Sequence, residues 1–123
     1  MPWARASLKL SGHRVVVAVF EQIIDRLGNP TGKVTINTSG EARVWSDECP
    51  LPSHAPAGDQ FAWAVSEAET VFERARADLA ECDLELWLGI AVGAQLGLLC
   101  DSALLGRLAL LGVDLVLDLY GWD

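Results

Sequence analysis

The chain has 123 residues, 51% of them hydrophobic and 21% charged, which is the composition of a globular domain and excludes a disordered one. That length supports one domain, spanning 1–123, with a single core and no room for a second. Nine basic against 17 acidic side chains leave a net charge of −8; such a field repels DNA and RNA and attracts a basic protein.

The two signs are unevenly spread. Residues 1–43 carry six basic and three acidic groups, whereas residues 44–123 carry three basic and fourteen acidic ones. The uncharged run Leu86–Cys100 has 15 residues, and a helix needs about 20 to cross a bilayer. Gly89, Gly93, Gln95 and Gly97 within it suit strands and turns better, so no membrane span is expected. No basic start followed by an apolar run and a small-residue cleavage site is visible, so no secretory signal is expected either. Cys49, Cys82 and Cys100 lie far apart without metal-ligand spacing, as do His13 and His54. Reduced thiols, a cytoplasmic location and no bound metal or cofactor follow as expectations.

In chain order, Ala6, Leu8 and Leu10 alternate with Arg5, Ser7 and Lys9, the period of a half-buried strand. Phe20, Ile23, Ile24 and Leu27 then share a helical face that Gly28 terminates. The segment 33–46 reads as two short strands joined by a turn at Asn37–Gly40. Three of the five prolines fall in the loop 49–59. QFAWAV is either a strand or the opening of the next helix. The Ser66-x-x-Glu69 pattern is a capping box, which places a helix start there.

Leu84, Leu86, Leu88 and Ile90 alternate with Glu85, Trp87 and Gly89. With a turn at Gly93 and a second strand over 94–100, they predict two neighbouring central strands covered on much of both faces. Asp101 or Ser102 caps a helix striped by Leu104, Leu105, Leu108 and Leu111, which Gly112 stops; Val113–Tyr120 forms a last strand. The order is β-α-β-β-α-β-β-α-β. It predicts an α+β fold, with a mixed, mainly antiparallel sheet and helices packed on one face.

The C-terminal stripe, cap and strand resemble a specific family ending. Leu99, Ser102, Leu104, Leu105, Leu108, Leu111, Gly112, Asp118 and Tyr120 fall on its pattern, with ASLKLSG, IIDRLG and VWSDECPL fitting earlier in the chain. The family is the bacterial one catalogued as domain of unknown function 4279. Its motifs are structural, so the resemblance implies a fold and not a chemistry. In character the small acidic chain is also similar to immunity proteins of contact-dependent growth inhibition, which neutralise a paired toxin.

Catalytic patterns are weak. Asp114 and Asp118 on alternate strand positions, with Asp101 nearby, read as an exposed strand face plus a helix cap rather than an acid–base pair. Cys49 and His54 share a loop with Asp47 and Glu48, whose charge raises a thiol pKa. The glycines of GIAVGAQLG lack the basic residue and helix of a phosphate loop. The acidic residues carry the functional expectation. Asp47, Glu48, Asp59, Glu69 and Glu73, with Trp45 and Trp63 flanking the same loop, are the expected partner-binding set. The reading is a non-enzymatic immunity protein. Its acidic surface would occupy the substrate-binding face of a basic toxin, in the first instance a nuclease, by imitating phosphate charge. The alternative is a small-molecule-binding or regulatory module built on the sheet.

Overall fold

The computed structural model describes residues 3–92 and 101–121. Five strands, β1 (Ala4–Ser11), β2 (Lys33–Asn37), β3 (Val44–Glu48), β4 (Asp83–Val92) and β5 (Asp114–Gly121), form one sheet in the order β2-β3-β1-β4-β5. Pairing is antiparallel throughout except for β4 and β5, which run parallel. Helices α1 (Val17–Leu27), α2 (Ala57–Ala75) and α3 (Ser102–Leu111) cover one face, and a 3-10 segment, Arg76–Glu81, leads from α2 into β4. The α+β architecture with helices on one side is the one the element order predicts. No helix among the described residues is long and apolar enough to cross a membrane.

The core follows from strand alternation. Ala4, Ala6, Leu8 and Leu10 of β1 face the helices beside Leu84, Leu86, Leu88 and Ile90 of β4. Phe20 and Ile23 of α1 and Phe61, Ala64, Val65 and Ala68 of α2 close over them. Burying each large apolar side chain contributes about 1.5–3 kcal/mol. Local signals place the helix ends as expected. Gly28 stops α1 at φ 68° and Gly112 stops α3 at φ 69°. Asp101 caps α3 by accepting from the amides of Ala103 at 2.8 Å and Leu104 at 3.3 Å.

Three details differ from the sequence expectation. QFAWAV lies in the first turns of α2, one of its two readings, but the helix runs unbroken through Ser66, so the capping-box pattern lies mid-helix. The start comes instead from Pro56, whose carbonyl accepts from Asp59 and Gln60, and the apolar spacing extends back to Phe61. Secondly, the helices among the described residues cover β4 on its leucine face; Glu85, Trp87 and Gly89 face the other side. The second strand and its turn, expected at 93–100, lie outside the described residues. Finally, Leu117 and Leu119 of β5 are 46% and 57% exposed, although they alternate as core residues should. Among the described strands β5 is the last of the sheet and pairs with β4 alone, which leaves these side chains with fewer neighbours.

Candidate functional site: the open face of the sheet

The face opposite the helices is built by the other half of each alternation. On β1 it carries Arg5, Ser7 and Lys9. Register then sets their neighbours. Ser7 lies between Glu48 of β3 and Trp87 of β4, and Lys9 lies between Ser46 and Glu85. Arg5 is opposite Gly89, which in turn pairs with Asp118 of β5. Because Gly89 has no side chain, the surface sinks between Arg5 and Asp118. The result is a depression of about 590 Å³, with Trp3 and Ser53 at its rim.

Trp87 sits half-buried near the centre of this face. The Lys9 ammonium lies 4.2 Å from its ring centroid, and its indole N–H donates to Glu85 at 3.4 Å. A cation over an aromatic face is held by the ring quadrupole, which fixes both side chains on the surface. Across the whole face, register gathers five carboxylates (Glu48, Asp83, Glu85, Asp114, Asp118) and three cations (Arg5, Lys9, Lys33). The surface is therefore polar, mixed in sign, and centred on an indole that offers apolar area.

The expected partner-binding residues do not assemble into one surface. Trp45 is 1% exposed and packs in the core; Asp47 is 0% exposed on the helix side of β3. Neither can touch a docked protein. The reason is the pleat: on β3 both share the face of Leu8 and Leu10, their partners on β1. Glu48 points the opposite way, onto the open face. Trp63 of α2 is half-buried and donates its indole N–H to Thr31 Oγ1 at 2.8 Å. Asp59 and Glu73 are exposed on α2, across the molecule from Glu48. Glu69 is already paired, accepting from Arg107 Nε at 3.1 Å and from Arg107 Nη2. That guanidinium holds its carboxyl below the usual range. Asp83 is likewise paired with Arg14 at 3.1 Å. Charge that is contiguous along the chain is thus divided between two faces and partly neutralised.

Among the described residues, the thiols of Cys49 and Cys82 are not activated as nucleophiles. Burial pushes Cys49 upward, and the nearby Asp47 carboxyl adds to this, although a backbone hydrogen bond at Leu51 works against it. Burial also raises Cys82, with Asp83 contributing. An activated thiol needs the opposite shift. Sequence reasoning missed Trp87, Lys9 and Arg5 as a group. Their alternation was legible, but only the register shows that they converge. No family model, curated protein or solved structure matches the chain.

Proposed function

We propose that the chain is a non-enzymatic binding protein that neutralises a basic protein partner in the manner of an immunity protein. The contact surface in this reading is the open face of the sheet, with Trp87 as its anchor. The observation that carries it is a sheet face that no helix among the described residues covers, centred on a half-buried tryptophan that Lys9 and Glu85 hold in place. Tryptophan and arginine are the residue types on which binding energy concentrates. The net charge of −8 raises the encounter rate with a cationic protein at long range, whichever face finally docks. The mixed charges around Trp87 then select the partner and its orientation. A nuclease-type toxin and a cytoplasmic location belong to this proposal, as does the likeness to the domain of unknown function 4279 family.

A shallow, polar depression favours a protein over a metabolite, because small-molecule sites are enclosed and mostly apolar. One observation does favour the second reading, a ligand-binding module. The depression of about 590 Å³ sets Arg5 and Lys9 against Glu48 and Asp118, which suits a small zwitterion. Co-expression with the product of the adjacent reading frame, followed by native mass spectrometry, separates the two. A one-to-one protein complex that weakens with salt supports the inhibitor. A retained metabolite of a few hundred daltons, with no protein bound, overturns it.

A further inference from the structure

We propose that buried Asp47 keeps a proton that it donates to Glu67, and that the Pro30–Gly32 segment lying over them is a pH-sensitive latch. Asp47 is 0% exposed and Glu67 is 8% exposed, one on β3 and the other on α2. Neither oxygen of Asp47 meets an N–H or O–H donor at hydrogen-bond geometry. Two ionised carboxylates in a buried space without a cation repel strongly, whereas one proton between them converts repulsion into a hydrogen bond. Placed on Asp47, that proton turns an orphaned group into a donor to Glu67.

The segment above is tied to both acids. The Thr31 amide donates to Glu67 Oε2 at 3.4 Å, and Trp63 holds the Thr31 hydroxyl at 2.8 Å. Gly32 lies directly against Asp47 Oδ1. Contact there is tight: a Cβ on Gly32 would overlap both Asp47 Oδ1 and the Glu48 carbonyl oxygen. Beside the segment lies a notch of about 310 Å³ whose floor includes Trp45. Losing the Asp47 proton would lift the segment and widen this notch.

The surroundings leave few other titrating groups. Across the sheet from Asp47 stand Leu8 on β1 and Val34 on β2, both apolar. Glu67 faces it from α2, and the thiol of Cys49, itself raised by burial, comes just after the end of β3. Burial first, and Glu67 second, push the Asp47 carboxyl up to about 8 from 3.8. The unfolded chain therefore releases this proton at a lower pH than the folded one. Stability is greatest below the lower value and falls as pH rises toward the upper one.

Hydrogen exchange at the Thr31 and Gly32 amides, corrected for intrinsic base catalysis, tests the latch between pH 6 and 9. The thermal midpoint is followed in parallel. In the wild type, exchange should rise about 10-fold and the midpoint should fall. Asp47→Asn removes the titrating group and should flatten both curves; Glu67→Gln leaves that carboxyl buried and should move both transitions to lower pH without abolishing them. A wild type whose exchange and midpoint ignore pH overturns the proposal, as does an unchanged slope in Asp47→Asn or an unmoved transition in Glu67→Gln. Calcium at pH 9 that restores wild-type protection in full would also overturn it, by making the pair a cation site.

Discussion

The side chain of Gln60 completes the β1 ladder. Its Oε1 accepts from the Ala6 amide at 3.0 Å, and its Nε2 donates to the Ala4 carbonyl at 2.7 Å. On either side of this bridge the backbone resumes, with the Cys49 amide donating to Ala6 and the Ala4 amide donating to Ser53. Pro50 and Pro52 interrupt the strand that would otherwise run alongside, and a glutamine from α2 fills the gap. Gln60→Leu preserves volume but leaves a buried donor and acceptor unmet. Each unmet group costs about 1–3 kcal/mol. Urea unfolding should show a loss of about 3 kcal/mol with an unchanged denaturant slope, and a neutral result would contradict the role.

Gly32 is required by contact rather than by backbone angle. Gly32→Ala drives a methyl group into the Glu48 carbonyl and Asp47 Oδ1. Neither yields easily, because one is backbone and the other belongs to a buried side chain. Overpacking of this kind costs about 3 kcal/mol. Calorimetry should show a clear drop in the melting midpoint. An unaltered midpoint would mean that the segment can shift without cost.

Glu69 and Arg107 join α2 to α3 at the surface, with their side chains 40% and 43% exposed. Solvent screening makes such a pair weak. Glu69→Gln should move the melting midpoint by less than about 3 °C and leave partner affinity within about twofold. A large fall in affinity would return the acidic surface of α2 to the contact.

Much of the fold could be read from the sequence because its periods are clean. The alternation in β1, β4 and β5 and the caps at Gly28, Asp101 and Gly112 each rest on local chemistry. The start of α2 was obscured because Ser66 and Glu69 satisfy a local pattern that the continuing helix does not need. The site was harder to see. Asp47 alternates with Ser46 and Glu48, so sequence places it on the face of Trp45; its burial follows only when α2 brings Glu67 against it. A carboxylate run looks like a patch on paper, yet β3 sends Glu48 and Asp47 to opposite faces, while Arg107 and Arg14 engage Glu69 and Asp83. Convergence of Arg5, Lys9, Glu48 and Trp87 depends on register between strands, which composition does not encode.

The most direct measurement is the affinity of the co-purified basic partner for two substitutions on opposite faces, titrated by calorimetry at fixed salt. Trp87→Ala on the open sheet should weaken binding at least about 30-fold, while Glu73→Gln on α2 should change it by less than about twofold. Both variants should melt close to wild type. If Glu73→Gln abolishes the complex and Trp87→Ala leaves it intact, the partner docks on the helices and the open face has no part in binding.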